Sequence, residues 1–178
     1  MMHMTLRFVC TFVLLPFGTM AGDITGKIVS VTDRDTIKVL DGKQERKVRL
    51  IGIDAPERGQ PFSDRAKRTL SGLVFGKTAR VTWKTHDKYD RIFVDVYIGG
   101  AWINRDMVER GMAWAYDPST TKQLRQAEAQ ARNSRLGLWT DKAPVPPWEF
   151  RKRKRRDQGP FENRRRSSSW IRMGRIVS

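Results

Sequence analysis

The chain is poor in cysteine and has no apolar run long enough to cross a membrane. Its single cysteine, Cys10, lies in the N-terminal segment. The rest of the chain therefore offers no disulfide, thiolate zinc site or cysteine nucleophile. The apolar run at residues 8–17 is well short of the ~20 residues that a spanning helix needs. There is no internal repeat, and the 178 residues are enough for one core of ordinary size.

Residues 1–22 have the pattern of a secretory signal peptide. Arg7 gives a short positive segment, the apolar run follows, and Ala21 stands at a suitable cleavage position. This pattern predicts a secreted or periplasmic protein. An uncleaved anchor remains open as an alternative.

Acidic residues are outnumbered, with 19 Asp and Glu against 35 Lys and Arg and a formal net charge of +16. Much of the excess lies in residues 151–178, which are rich in Arg and Ser. That segment has too few apolar side chains to bury a core, so we predict a disordered basic tail. Nucleic acid or anionic lipid is the partner that such charge favours, and simple solubility is the plainer alternative. The sequence indicates no obligate protein partner.

Alternating and β-branched segments predict five strands and three helices, an α+β fold. No crossover helix separates the first three strands, and Asp41-Gly42 is a hairpin signal between the second and third, so these strands form an antiparallel meander. With the interleaved helices, the pattern predicts a small curled five-stranded barrel over residues 23–150. The predicted strands are 23–31, 35–40, 47–53, 79–83 and 92–97.

The predicted helices follow apolar residues that recur at helical spacing. The first carries Phe62, Ala66, Leu70 and Leu73 and ends at Gly76, and the second covers residues 103–110. For the third, Asp117 is the expected N-cap and Pro118 the first helical residue. The apolar face predicted for this third helix contains Leu124, Ala127, Ala131 and Leu138.

Two acidic residues are expected to meet at one end of the meander. Asp35 opens the second strand and Asp54 follows the third, so the hairpin brings them together. Carboxylates held close repel unless a cation lies between them, and oxygen ligands suit Ca²⁺ or Mg²⁺ rather than zinc. Solvated turn aspartates are the alternative, which we prefer only for Asp33.

Glu57 and two arginines complete the predicted site. Glu57 is placed to hold a water against a phosphate, and Arg49 and Arg91 offer the guanidinium fork that grips phosphate. Strict strand alternation puts Arg49 and Asp54 on opposite faces, so their convergence requires a bend, for which Gly52 is the candidate. Taken singly, Glu57 is better interpreted as an exposed loop acid, and a surface residue is the alternative for each arginine.

Six segments together resemble the staphylococcal nuclease (thermonuclease) family. Each is weak alone, but their order and spacing over residues 23–151 make the resemblance specific. The segments are Asp33-Arg34-Asp35-Thr36, Arg49-Leu50-Ile51-Gly52-Ile53-Asp54-Ala55-Pro56-Glu57, Asp87-Lys88-Tyr89-Asp90-Arg91, Glu128-Ala129-Gln130-Ala131-Arg132, Gly137-Leu138-Trp139 and Pro147-Trp148-Glu149-Phe150-Arg151.

The resemblance implies an OB-fold barrel with three helices that hydrolyses DNA and RNA with Ca²⁺ as cofactor. Water would attack phosphorus in line, the 5′ oxygen would leave, and the products would carry 3′-phosphates. Its catalytic residues would be Arg49, Arg91 and Glu57, the last as general base. Its metal ligands would be Asp35, Asp54 and the main-chain oxygen of Ala55. Lys88 and Tyr89 would contact a terminal phosphate, and Tyr116 a base.

Two departures and one alternative accompany this resemblance. The family usually has glycine where Arg34 and Asp90 stand, and a side chain at a positive φ costs about 1 kcal/mol. The alternative function is a non-catalytic OB-fold binder of nucleic acid that uses Trp83, Trp102 or Trp114 for base stacking. The carboxylates favour the hydrolase, because without a metal they repel phosphate.

Overall fold

The computed structural model of the protein describes residues 22–86, 92–116 and 120–157. Its strands are Gly22–Val31 (β1), Thr36–Asp41 (β2), Gln44–Leu50 (β3), Ile53–Asp54 (β4), Thr78–His86 (β5), Ile92–Ile98 (β6), Ala101–Trp102 (β7) and Trp114–Ala115 (β8). Its α-helices are Ser63–Val74 (α1), Ile103–Glu109 (α2), Lys122–Asn133 (α3) and Pro147–Asp157 (α4), and Gly137–Thr140 forms a 3₁₀ turn.

Five of the strands close a barrel that begins with the predicted antiparallel meander. β1 pairs with β2 and β2 with β3, and Asp41 pairs with Gln44 across the predicted hairpin at Gly42. β1 also pairs with β5, and β5 with β6. β6 then runs parallel to β3, with Arg49 opposite Phe93, and this pairing closes the barrel. The predicted α+β fold with a five-stranded OB-type barrel is confirmed.

The barrel interior is filled by aliphatic side chains from all five strands, as expected for a small barrel. α1 packs on this core with the predicted Ala66 and Leu70 and with Val74, whereas the predicted Leu73 is partly buried and Phe62 precedes the helix as its N-cap. In the described part of the chain, no helix combines the length and apolar character needed to cross a membrane. Fully buried barrel residues include Ile28, Val39, Val48, Val81 and Val94.

The third helix begins later than the sequence predicts. The predicted N-cap, Asp117, and the predicted first helical residue, Pro118, lie outside the described residues, and α3 starts at Lys122 with Thr121 as its N-cap. The Thr121 hydroxyl accepts a hydrogen bond from the main-chain nitrogen of Leu124 at 3.2 Å. That bond satisfies one of the main-chain donors left open at a helix start, so Thr121 serves the role assigned to Asp117.

Leu138 is buried as expected but lies in the 3₁₀ turn rather than on α3. The helix ends at Asn133, and Gly137 has a φ of 53°. A Cβ at Gly137 would collide with the main-chain oxygen of Gly111. Beyond the end of α3, the nitrogen of Leu138 donates to the main-chain oxygen of Gly111 at 2.9 Å, which holds the 3₁₀ turn against Gly111.

A fourth helix lies beyond the three that are predicted. α4 runs on to Asp157 and so crosses the predicted start of the basic tail at residue 151. Pro147 occupies the first helical position, where a missing N–H costs nothing. The nitrogens of Glu149 and Phe150 donate to the main-chain oxygen of Pro146 at 3.1 and 3.0 Å. Lys and Arg are good helix formers, so residues 151–157 can continue α4 although they have too few apolar side chains to form a core.

A buried asparagine fixes the chain where β3 ends. Asn104 donates from Nδ2 to the main-chain oxygens of Ile51 and Val94, both at 3.0 Å, and its Oδ1 accepts from the nitrogen of Val96 at 3.0 Å. Buried main-chain groups outside a regular ladder need such partners. The bonds hold the turn at Gly52, whose φ is 74°, and this turn is the bend that the sequence predicts.

Candidate active site

The end of the meander places an arginine between two aspartates. Thr36 pairs with Arg49 in the β2–β3 register, which leaves Asp35 at the same end of the barrel. The bend at Gly52 turns Asp54 back towards this end. Nη2 of Arg49 lies 2.6 Å from Oδ2 of Asp35 and 3.1 Å from Oδ1 of Asp54. The structure therefore brings together the two carboxylates and the arginine that the sequence predicts to converge.

Both aspartates are nearly inaccessible to solvent, since Asp35 exposes 5% of its surface and Asp54 exposes 1%. Burial raises the pKa of the Asp35 carboxyl above its ordinary value, and the Asp54 charge adds to this effect. Arg49 and a 2.8 Å hydrogen bond from Oγ1 of Thr36 oppose the rise. Because the pKa stays raised, Arg49 and Thr36 do not fully offset the cost of burying this charge.

The oxygen donors at this point fit a hard divalent cation. Asp35, Asp54 and the buried main chain at Ala55 offer oxygen only, which suits Ca²⁺ or Mg²⁺ and not zinc. Among residues 22–86, 92–116 and 120–157, no group of three or more His, Cys, Asp or Glu side chains is arranged to hold a metal ion.

Glu57 lies on the loop after β4 and is held at both its main chain and its side chain. Its nitrogen donates to Oε1 of Gln60 at 2.6 Å. Gln60 is buried, and its Nε2 donates to the main-chain oxygen of Val145 at 2.9 Å, which ties the loop to the segment before α4. The Glu57 carboxylate accepts from Nη1 of Arg151 at 2.6 Å. The predicted general base is thus joined to the aspartates through α4.

Arg151 is the site residue that the sequence analysis misses. Its Nη2 lies 2.8 Å from Oδ2 of Asp54, and its Nη1 lies 3.3 Å from Oδ1 of the same carboxylate. Burial alone would lower the pKa of Arg151, but its hydrogen bonds to Asp54 and Glu57 raise it overall. The available signal is the segment at residues 147–151, which supports the resemblance but receives no functional role there.

Tyr116 lies beside the bend that carries Asp54. Its main-chain nitrogen donates to the oxygen of Gly52 at 2.9 Å, and its side chain is 38% exposed. Its ring centroid is 5.2 Å from that of Trp148. Its contact with a base stays a prediction. Three further predicted site residues lie outside the described residues: Lys88, Tyr89 and Arg91.

The tryptophans considered for base stacking pack largely against the protein itself. Trp114 is buried, and its ring meets those of Trp139 and Trp148 edge-on at centroid distances of 5.3 and 6.5 Å. The expectation that Trp114 is a stacking platform is therefore wrong. Trp83 and Trp102 are partly buried against the barrel core.

Arg34 fits the turn without the strain considered for it. Arg34 is not among the non-glycine residues with positive φ. Its Nη1 pairs with Asp33 and its Nε donates to Oγ of Ser63 at 3.1 Å. The cost of a side chain at positive φ does not apply here. Asp90, the other departure, lies outside the described residues.

A closed five-stranded barrel with buried carboxylates, a half-buried glutamate and two arginines at one end defines the class, an OB-fold protein with a site of acids and arginines. The family model described as staphylococcal nuclease homologue matches residues 47–141. The chain belongs to the staphylococcal nuclease family, as the resemblance predicts.

Known relatives carry nuclease names. The chain is 41% identical over 137 residues to an uncharacterized endonuclease of Escherichia coli, and the aligned region covers 76% of this chain and 90% of the relative. It is 41% identical over 160 residues to a micrococcal nuclease of Shigella flexneri, covering 83% and 92%. It is 39% identical over 112 residues to a staphylococcal-like nuclease of Arabidopsis thaliana, covering 61% and 34%. The prediction of a nuclease rather than a non-catalytic binder is confirmed.

Proposed function

We propose that this nuclease depends on Ca²⁺ and hydrolyses phosphodiester bonds in both DNA and RNA. One observation carries the proposal: Arg49 joins Asp35 to Asp54, and Arg151 joins Asp54 to Glu57. The network sets two buried acids beside a half-buried one, so the acids have different environments and can take different roles. The nuclease and endonuclease names of similar proteins support the hydrolysis of nucleic acid.

The roles follow from burial and donor chemistry. Asp35, Asp54 and the main-chain oxygen of Ala55 would hold the cation, which when bound supplies positive charge beside the phosphoryl oxygens. Glu57 is more accessible than either aspartate and accepts a proton from the attacking water. Arg49 has five N–H donors, so it can face the aspartates and still offer donors to a phosphate.

The proposed reaction exchanges one bond at phosphorus for another. The water oxygen bonds to phosphorus, the bond to the 5′ oxygen breaks, and the leaving oxygen takes a proton from solvent. The products are a 3′-phosphate and a 5′-hydroxyl. Arg49 and Arg91 stabilise the charge that gathers on the equatorial oxygens. Lys88 and Tyr89 contact a terminal phosphate, and Tyr116 contacts a base.

A cleavage assay tests the cation dependence directly. The full chain is incubated with supercoiled plasmid and with single-stranded RNA, in Ca²⁺, in Mg²⁺ or in excess chelator. We expect both substrates to be degraded in Ca²⁺ and both to survive in chelator. The Asp35→Asn variant should show weaker Ca²⁺ binding by calorimetry. Cleavage that persists in chelator would contradict the cation dependence. Nucleic acid that stays uncut in Ca²⁺ would contradict the proposed nuclease activity.

The chemistry of the product ends tests the direction of cleavage. We expect the 5′ ends to accept label from a polynucleotide kinase without prior phosphatase treatment. The 3′ ends should resist polymerase extension until a phosphatase has acted. The opposite pattern would show that the 3′ oxygen is the leaving group and would sink this part of the proposal.

We further propose that the protein acts outside the cytoplasm, on the basis of the signal pattern at residues 1–22. Expression of the full chain in a bacterium, followed by fractionation and N-terminal sequencing, tests this. We expect periplasmic or secreted protein that begins at Gly22. An intact N-terminus in the membrane fraction would indicate an anchor, and one in the cytoplasm would contradict export.

A further inference from the structure

Arg151 connects two acidic residues that the proposed reaction uses differently. We propose that Arg151 is a positioning residue, which holds the Glu57 carboxylate in a fixed place relative to Asp54 and so makes α4 part of the active site. The inference rests on the proposed function, because it takes Glu57 as the base that receives the water proton.

The guanidinium geometry carries the first step. Nη2 of Arg151 lies 2.8 Å from Oδ2 of Asp54, and Nη1 lies 2.6 Å from Oε1 of Glu57. A guanidinium is planar and rigid, so one arginine with both bonds fixes the two carboxylates relative to each other. It also places a positive charge between two acids that would otherwise repel. Charge-assisted hydrogen bonds of this length are the strong kind.

The segment before α4 also holds the main chain of Glu57, through Gln60. The main-chain oxygen of Val145, six residues before Arg151, accepts from Gln60, and Gln60 accepts from the nitrogen of Glu57. The segment at residues 145–151 therefore holds Glu57 at both its main chain and its carboxylate. A flexible glutamate restrained at both ends loses less freedom when it reaches the reactive geometry.

The third step explains why α4 stays in place. The Trp148 ring packs at a centroid distance of 6.5 Å from Trp114 and 5.2 Å from Tyr116. Trp114 is in turn the strand partner of Asp54. Aromatic packing thus seats the first turn of α4 against the strand beside Asp54. The position of Arg151 is set by this packing as well as by its ion pairs.

Two other roles for Arg151 make different predictions. A direct contact with the substrate phosphate would mainly raise KM when the arginine is removed. An arginine that competes with the cation for Asp54 would slow the wild type, so its removal would raise turnover. A positioning residue lowers kcat on removal and acts only through Glu57.

A double-mutant cycle in the full chain tests the proposal. The variants are Arg151→Met, Glu57→Gln and their combination, with Arg125→Met, an exposed arginine on α3, as matched control. We expect Arg151→Met to lower kcat about 10²-fold, the usual cost of a misplaced group. KM should stay within about threefold of the wild-type value. In the Glu57→Gln background the same change should cost less than about twofold, because coupled residues are not additive.

A cation-free measurement supplements the kinetics. Hydrogen exchange in residues 55–60 should become at least about tenfold faster in Arg151→Met and remain unchanged in Arg125→Met, because a lost anchor allows local opening. Arg151→Lys keeps the charge but loses the fork, and it should restore part of kcat. Circular dichroism of each variant establishes that it is folded, and Arg151→Lys carries the test if Arg151→Met unfolds.

The possible outcomes distinguish a failure of this inference from a failure of the proposed function. Equal losses in both Glu57 backgrounds, a loss confined to KM, a gain in turnover or unchanged exchange would each overturn the positioning role. An active wild type with a fully active Arg151→Met variant would overturn this inference alone. A wild type that cleaves nothing in Ca²⁺ would overturn the proposed function, and the inference would fall with it.

Discussion

The end of β3 and the first turns of α4 both bring an arginine to Asp54, but by different means. Arg49 lies five residues from Asp54 and is placed by strand register and the bend at Gly52. Arg151 lies 97 residues away and is placed by a helix that packs beside Trp114. The first contact joins residues that are close in the chain, although Asn104 supports the bend between them, whereas the second joins segments far apart in the chain.

The two arginines also differ in burial and in the acids they join. The Arg49 side chain is 21% exposed and links Asp35 to Asp54, while that of Arg151 is 35% exposed and links Asp54 to Glu57. Arg49 therefore pairs with both proposed metal ligands, and Arg151 joins one of them, Asp54, to the proposed base, Glu57. Removal of the more buried arginine, Arg49, leaves buried carboxylates unpaired at the greater cost. We therefore expect the larger effect from the loss of Arg49.

The largest effect is expected at the β3 end. Arg49→Met should lower kcat about 10³-fold, because it removes a donor for the phosphate and leaves two buried aspartates short of positive charge. Single-turnover cleavage measures the loss. Arg46→Met, on the same strand but paired with the partly exposed Asp41, is the matched control. A smaller loss than that of Arg151→Met would reverse the ranking of the two arginines.

The support beneath the β3 end should matter next. Asn104→Ala leaves the oxygen of Ile51 and the nitrogen of Val96 without their buried partner. We expect the free energy of unfolding to fall by about 3 kcal/mol, within the range for several lost buried hydrogen bonds. Urea denaturation provides the measurement, with exposed Asn133→Ala on α3 as control. A change below about 1 kcal/mol would show that the bend holds without this clamp.

The support on the α4 side should be weaker. Gln60→Ala cuts the link between the main chains of Glu57 and Val145. We expect a loss of about 1–2 kcal/mol in stability and of about tenfold in kcat, because Arg151 still holds the carboxylate. Thermal unfolding and steady-state cleavage are compared with those of exposed Gln123→Ala. Stability and turnover both at wild-type levels would show that the Gln60 hydrogen bonds do not position Glu57.

The smallest effect is expected on the outer surface of α4. Arg153 and Arg155 are exposed, and nucleic acid bound at Tyr116 would pass close to this helix, because Tyr116 packs against Trp148 of α4. Arg153→Gln with Arg155→Gln should flatten the log–log salt dependence of DNA binding by about 1–2 units, near 0.9 per lost phosphate contact. The double variant Lys122→Gln with Arg125→Gln on α3 is the charge-matched control. Equal slopes in both double variants would mean that α4 contributes only general charge.

The parts predicted correctly from the sequence depend on nearby residues. Alternation and the hairpin signal at Asp41-Gly42 define the meander, and Gly52 marks the bend. The start of α3 is mispredicted, because Asp117-Pro118 and Thr121 are both good opening signals and the folded chain uses the second. Local patterns identify such candidates but do not choose between competing ones.

The predicted start of the basic tail at residue 151 falls inside α4, which continues to Asp157, and residues 158–178 lie outside the described residues. Arginine-rich composition indicates a segment that cannot bury a core by itself. Composition does not show that Trp148 packs beside Trp114 and Tyr116, so that the following helix needs no core of its own. Arg151 enters the site as a consequence of that packing.

The sequence by itself determined the β2–β3 hairpin and the meeting of Asp35, Arg49 and Asp54, because strand period, the turn at Asp41-Gly42 and the bend at Gly52 all lie within 20 residues of chain. Only the tertiary structure decided that Arg151 joins them, since its place depends on aromatic packing between segments far apart in the chain. Contacts between residues so far apart in the chain form only when the whole domain folds, so local sequence patterns do not reveal them.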